Sequence, residues 1–247
     1  MYFVCFVVLN APREIGDDMT DFGFYLVMTN PVVGYARCAE AAVKAGVRII
    51  QLRMKHAERA DILREAREVR RVTRGTETLF IVNDDPAIAA EVEADGVHVG
   101  QDDMPVAEVR QKFPSLKIVG LSTHNPAQAR AAAGTAALHT GGPRLVPAPN
   151  TGGPRSCAAA IPDYIGVGPV YATPTKDIPD PTLGLATMGE MISSVPFPAV
   201  AIGGIDAARL PDVIAAGARN FAVVRAVCQS TDPYSAIVGL QRIAALA

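Results

Sequence analysis

The chain has 247 residues, a formal net charge of −2, 19% charged side chains and 49% apolar ones. That length buries one sizeable core without a disulfide or metal staple, and the hydrophobicity excludes intrinsic disorder. Near-neutral charge gives no general attraction to nucleic acid or an anionic membrane, so the expected partners are small molecules, and any anion must be held by a few placed residues. Cys5, Cys38, Cys157 and Cys228 stand 33, 119 and 71 positions apart. Without a Cys-x-x-Cys or Cys/His cluster, neither a zinc site nor a disulfide framework is expected, and reduced thiols point to the cytoplasm.

The opening Met1–Leu9 is apolar, but it is too short to span a bilayer and lacks the basic start and cleavage pattern of a signal peptide. Residues 1–23 are expected to form an N-terminal extension, with a capping strand as the alternative reading, and residues 24–247 a single domain. From Phe24 short apolar runs alternate with helix-like stretches: Phe24–Met28, Val47–Leu52, Leu79–Val82, Gly96–Val99, Lys117–Leu121, Tyr164–Val167, Ala199–Ile202 and Asn220–Val224. Continuous rather than alternating apolar runs of this length are the pattern of parallel strands buried on both faces.

The stretches between them carry helix punctuation. Asp85-Pro86, Asn125-Pro126 and Asp232-Pro233 each set a capping side chain before a proline suited to the first helical turn. Ala45-Gly46, Asp95-Gly96 and Ala216-Gly217 supply a residue tolerant of the left-handed conformation before the next strand. Ile62, Leu63, Ala66 and Val69 fall on one helical face. Eight strand–helix units predict an α/β fold, a TIM (β/α)8 barrel; periodicity alone does not close a barrel, and a doubly wound open sheet carries the same pattern. Gly134–Pro162, with five prolines and five glycines, has no apolar period and reads as a surface insertion.

In such a barrel the chemistry sits at the C-terminal ends of the strands. There the sequence places Gln51-Leu52-Arg53-Met54-Lys55, Asn83-Asp84-Asp85, His98 through Asp103, Ser122-Thr123-His124, Thr173-Pro174-Thr175-Lys176, Gly203-Gly204 and Val224-Arg225. Two of only five lysines, Lys55 and Lys176, fall on this rim. Cations beside carboxylates suit a polyanion bridged by a divalent metal; mutual ion pairing is the blander reading. Capping accounts for Asp85 and Asn125, which leaves Asp84 and Ser122 for a ligand, whereas either Asp102 or Asp103 can support the helix entered near Pro105. His98 and His124 read first as packed, hydrogen-bonded residues. The Gly203-Gly204 turn after the seventh run suits a phosphate, since barrels often bind phosphate after strands seven and eight; a plain tight turn is the alternative.

Taken together, Gln51-Leu52-Arg53-Met54-Lys55, Asn83-Asp84-Asp85, Gly96-Val97-His98-Val99-Gly100-Gln101-Asp102-Asp103, Gly166-Val167-Gly168-Pro169, Thr173-Pro174-Thr175-Lys176 and Ala201-Ile202-Gly203-Gly204-Ile205 resemble the thiamine-phosphate synthase family, over about Phe24 to Ile243 apart from the insertion. The resemblance implies a transferase that joins 4-amino-2-methyl-5-hydroxymethylpyrimidine diphosphate to a carboxythiazole or hydroxyethylthiazole phosphate. It also implies Mg2+ on Asp84 and Asp103. The pyrimidine diphosphate would be held by Gln51 to Lys55, Asn83, Ser122 and Lys176, with Arg53, Lys55 and Lys176 on its phosphates; these three and Ser122 would carry the chemistry. Thr173, Pro174, Thr175, Gly204 and the Val224-Arg225 backbone would hold the thiazole phosphate. No nucleophile–base pair is evident in the sequence. A thiazole tautomerase-like barrel and a non-catalytic barrel that binds thiamine phosphate are the competing readings.

Overall fold

The computed structural model describes residues 20–137, 161–173 and 181–247, with the side chains of 135–137 also outside the description. Eight parallel strands close into a barrel in sequential order: β1 (Phe24–Met28), β2 (Ile49–Leu52), β3 (Leu79–Asn83), β4 (Gly96–Val99), β5 (Ile118–Thr123), β6 (Tyr164–Val167), β7 (Ala199–Ile202) and β8 (Asn220–Val223). The helices are α1 (Tyr35–Lys44), α2 (Arg59–Thr73), α3 (Pro86–Glu91), α4 (Val106–Lys112), α5 (Pro126–Ala137), α6 (Gly184–Ser193), α7 (Leu210–Ala215), α8 (Arg225–Cys228) and α9 (Pro233–Leu246). None is long and apolar enough to cross a membrane among the described residues. Pairing of β1 with β8, through Tyr25 opposite Ala222, closes the sheet and removes the open-sheet alternative.

Strand alternation divides the apolar residues into two layers. Leu26, Met28, Ile50, Leu52, Val82 and Val97 face outward into the layer shared with the helices, where Ala66 and Val69 of α2 also lie. Tyr25, Val27, Ile49, Ile81, Ile118, Tyr164 and Val200 face inward and, with Phe22, fill the lower barrel. Phe22 packs edge-on to both Tyr25 and Tyr164, with ring centroids 6.2 and 6.4 Å apart. The residues just before β1 thus belong to the barrel's packing.

The helix starts follow the expected chemistry. Asp85 Oδ1 accepts the Ile88 amide at 2.8 Å, Asn125 Oδ1 that of Gln128 at 3.0 Å, and Asp232 Oδ1 that of Ser235 at 3.1 Å. Gly46 and Gly217 take positive φ after α1 and α7, but Gly96 does not. After α3 the left-handed residue is Glu93, at φ 56°, and Gly96 serves a different need: a Cβ there would lie 2.2 Å from the Ile118 carbonyl oxygen. Helix α5 also extends through Gly134–Ala137, so the stretch expected as a loop from Gly134 begins as helix; residues 138–160 lie outside the described residues.

The chain enters β6 at a fixed point. Asp163 Oδ2 accepts from Arg110 Nη2 and from the Val119 amide, both at 2.6 Å. Arg110 also donates to the Ile161 carbonyl at 3.4 Å. These bonds join α4 and β5 to the first residues of the β6 segment.

The Gly96 contact yields a stability test. Gly96→Ala forces a methyl group into backbone that cannot turn aside, and is expected to cost about 3 kcal/mol. Gly134→Ala, in helix α5 where a Cβ meets nothing within 4 Å, is expected to leave stability unchanged or raise it by up to about 1 kcal/mol. Urea unfolding of both variants measures the difference.

Candidate active site

The inward residues change character toward the C-terminal ends of the strands. Above the aromatic floor they become Gln51, Asn83, His98 and Ser122, with glycine at positions 120, 166 and 168 leaving room between them. Gln51, Asn83, His98, Ser122, Gly166 and Gly168 surround a cavity of roughly 370 Å³ at the mouth, which Arg53, Thr173, Gly204, Val224 and Arg225 also line.

On one side of the mouth stand the carboxylates. Asp84, at the end of β3, adopts a left-handed backbone with φ 64° and donates its amide to the His98 carbonyl at 2.8 Å. Its carboxylate forms an ion pair with Lys55. Burial, together with the neighbouring Asp103 carboxyl, holds Asp84 above the usual carboxylate range, against the opposing pull of Lys55. Asp103 accepts the Gly100 amide at 2.6 Å through Oδ2. Neither Asp102 nor Asp103 caps α4, whose first turn has no side-chain cap. Among the described residues no group of three or more His, Cys, Asp or Glu side chains could hold a metal. A carboxylate pair suits Mg2+, which takes one or two protein carboxylates and completes its shell with phosphate oxygens and water. It does not suit zinc, which requires three or four protein ligands.

On the opposite side lies the turn after β7. Gly203 and Gly204 have φ 101° and 68°, and a Cβ on either would come within 2.8 Å of the Pro169–Tyr171 segment. Arg209 Nη1 donates to the Gly204 carbonyl at 2.7 Å, and its guanidinium lies 4.9 Å from the Tyr171 ring centroid. Arg209 lines the cavity together with Arg225. Arg209 carries no recognisable signal in the sequence, because it sits beyond the motif, on the approach to α7.

Several expected residues fall elsewhere. Leu52 is buried in the outer layer, and Met54 packs against that layer, so the side chains of both face away from the cavity. Lys55 is already paired with Asp84, as the blander reading held. Pro174, Thr175 and Lys176 lie outside the described residues. The deeper cavity wall adds a connection absent from the sequence reading: Ser122 Oγ lies 2.9 Å from His98 Nε2, so a hydroxyl and an imidazole do meet. His124 Nδ1 donates to the Gly168 carbonyl at 2.8 Å. Both histidines are hydrogen-bonded, as expected, and both also line the cavity.

The mouth thus sets a carboxylate–lysine cluster at the end of β3 against a glycine turn after β7 that Arg209 braces. A family model described as thiamine monophosphate synthase matches residues 24–141 and 155–227. A thiamine-phosphate synthase of Synechocystis sp. is 39% identical over 216 residues, covering 87% of this chain and 55% of that protein. One from Laribacter hongkongensis is 35% identical, with 87% and 92% covered. The solved thiamine phosphate pyrophosphorylase of Pyrococcus furiosus superposes with a TM-score of 0.74 at 26% identity, covering 92% of this chain and 98% of that one. The chain belongs to the thiamine monophosphate synthase family. It spans about half the length of some of the curated relatives it matches.

Because Arg209 both braces the Gly204 turn and borders the cavity, Arg209→Ala is expected to weaken binding of inorganic phosphate about tenfold, the loss of one charge-assisted hydrogen bond. Calorimetric titration measures it. Unchanged affinity would restrict Arg209 to its tether on the turn.

Proposed function

We propose that the protein is a thiamine-phosphate synthase, a transferase that condenses 4-amino-2-methyl-5-hydroxymethylpyrimidine diphosphate with a (carboxy)hydroxyethylthiazole phosphate. The products are thiamine phosphate and diphosphate, with CO2 released from the carboxylated thiazole. The observation that carries this reading is one cavity lined by Arg53 and Asn83, the chain neighbours of the Lys55/Asp84/Asp103 cluster, on one side and by the Gly203-Gly204 turn on the other. A barrel that bound only a thiazole phosphate would have no use for that cluster.

In this reading Gln51, Asn83 and Ser122 hold the pyrimidine, and Arg53, Lys55 and Lys176 meet its diphosphate. Leu52 and Met54 contribute through their backbone alone. Thr173, Pro174, Thr175, Gly204, Val224 and Arg225 hold the thiazole phosphate. Asp84 and Asp103 would hold Mg2+, which supplies positive charge beside the diphosphate when bound. The carbon–oxygen bond to diphosphate breaks with its electron pair leaving on oxygen, where the cations stabilise the growing charge. The pyrimidine amino group spreads the positive charge left on the methylene carbon, and the thiazole nitrogen, held in place by its phosphate, closes the new bond. No enzyme nucleophile is required.

Diphosphate release that depends on both substrates and on Mg2+ tests the reaction; release from the pyrimidine substrate alone, or none, would overturn it. Within it, Asp84→Asn keeps the size and the left-handed backbone, which asparagine tolerates, and is expected to lower turnover about a hundredfold or more. Asp85→Ala is expected to lose about 1 kcal/mol of stability with its cap and to keep activity. The reverse outcome would exchange their roles. Lys176→Ala is expected to lower kcat more than it raises KM for the pyrimidine diphosphate, in steady-state kinetics with each substrate varied in turn.

A further inference from the structure

Five side chains from β1, β2, β4, β5 and β6 form one hydrogen-bonded line across the barrel interior. Gln51 Nε2 lies 2.8 Å from Tyr25 Oη, Tyr25 Oη 2.8 Å from Tyr164 Oη, Tyr164 Oη 3.0 Å from His98 Nδ1, and His98 Nε2 2.9 Å from Ser122 Oγ. Tyr25 and Tyr164 are buried at 2% and 0% exposure, and burial pushes both phenols well above their ordinary range, so each keeps its proton.

The line has a direction. The Gln51 amide nitrogen can only donate, so Tyr25 Oη accepts from it. The single Tyr25 proton then goes to Tyr164 Oη, and the Tyr164 proton to His98 Nδ1. Running the two tyrosine bonds the other way would leave the Tyr25 proton buried without an acceptor, a loss that disfavours that arrangement about tenfold or more. An imidazole that accepts at Nδ1 carries its proton at Nε2. It therefore donates to Ser122 Oγ and cannot take the proton of Ser122, so this hydroxyl–imidazole pair is not the activated nucleophile it resembles in outline. The Ser122 backbone is held as well, its carbonyl accepting from Gln101 Nε2 at 2.6 Å.

We propose that His98 is a positioning residue whose tautomer, set from the barrel floor by Gln51, Tyr25 and Tyr164, turns Ser122 into a hydrogen-bond donor facing the cavity. The Ser122 proton, which His98 does not accept, is then available to a ring-nitrogen lone pair of the ligand, the aminopyrimidine if the function proposed above holds. Gly120 belongs to the same device. A Cβ there would lie 2.2 Å from Tyr164 Cζ and 2.5 Å from His98 Nδ1, so only glycine at that position lets the phenol reach the imidazole.

The tautomer is read directly, without any assay of function. The full chain labelled with 15N-histidine, free of ligand and at about pH 8, where imidazole is neutral, is expected to show His98 protonated at Nε2 in long-range proton–nitrogen correlation spectra. His124, which donates from Nδ1 to a carbonyl, is expected to show the opposite pattern and serves as the internal reference. In Tyr164→Phe the His98 preference for Nε2 should be lost while His124 is unchanged. Kinetically, Tyr164→Phe and Ser122→Ala are each expected to raise KM for the pyrimidine diphosphate about tenfold, with little change in KM for the thiazole phosphate. The double variant should be no worse than Ser122→Ala, because both act through one hydroxyl. A His98 ring protonated at Nδ1 in the unsubstituted protein, or additive effects in the double variant, would overturn the proposal. The expected tautomer in a protein that fails to condense the two substrates would retain the hydrogen-bond direction and reject the synthase reading instead.

Discussion

The interior of an eight-stranded barrel has room for one set of side chains per level, and the whole molecule is arranged around how that volume is divided. Three aromatic rings, Phe22, Tyr25 and Tyr164, take the lower levels, and glycine at 120 on β5 and 166 on β6 leaves room beside Tyr164 and His98. A side chain at 120 would collide with Tyr164 and His98, and one at 166 would stand beside His98 at the cavity wall. The hollow is thus the complement of the floor: bulk below on one set of strands is balanced by absence above on their neighbours.

The same division places polar atoms where water cannot reach them. Two phenols inside a closed sheet must find partners or destabilise the fold, and they find them in each other, in Gln51 and in His98. Satisfying the core and orienting the cavity wall are therefore one event. The rim works differently. Asp84, Asp103 and Lys55 are only partly shielded, and their contact concentrates charge at the mouth without adding much to stability, since solvent-facing ion pairs contribute little.

The strands are legible in the sequence because each is a short continuous apolar run, and their edges shift by no more than two residues, as where Val47 and Arg48 precede β2. The separation of Asp85 from Asp84 is legible for a local reason: a proline at the first helical position marks the residue before it as the cap. Leu52 and Met54 are not legible as outward-facing from the motif that contains them, because only the pleat decides which face each takes. Gly96 is misread as a helix terminator, since a glycine needed for close approach looks the same in one dimension as one needed for positive φ. The Tyr25–Tyr164–His98 line escapes because it joins positions 66 and 139 residues apart, and Arg209 because it lies beyond the motif, with no period to connect them. The resemblance of the rim motifs to a family supplies the site's outline; the polarity of its wall comes only from three-dimensional contacts.

The clamp at Asp163 decides how tolerant the chain is between α5 and β6. Because Arg110 and the Val119 amide grip the residue before β6 from elements already in place, the register of that strand does not depend on the path by which the chain arrives. The number of residues between Ala137 and Ile161 is accordingly decoupled from barrel closure, and that interval can lengthen or shorten among relatives while Tyr164 keeps its place opposite Gly120. The gap in the family match between residues 141 and 155 falls inside this interval. A barrel clamped in this way accepts sequence drift at one seam while its remaining strands hold the cavity to a fixed shape.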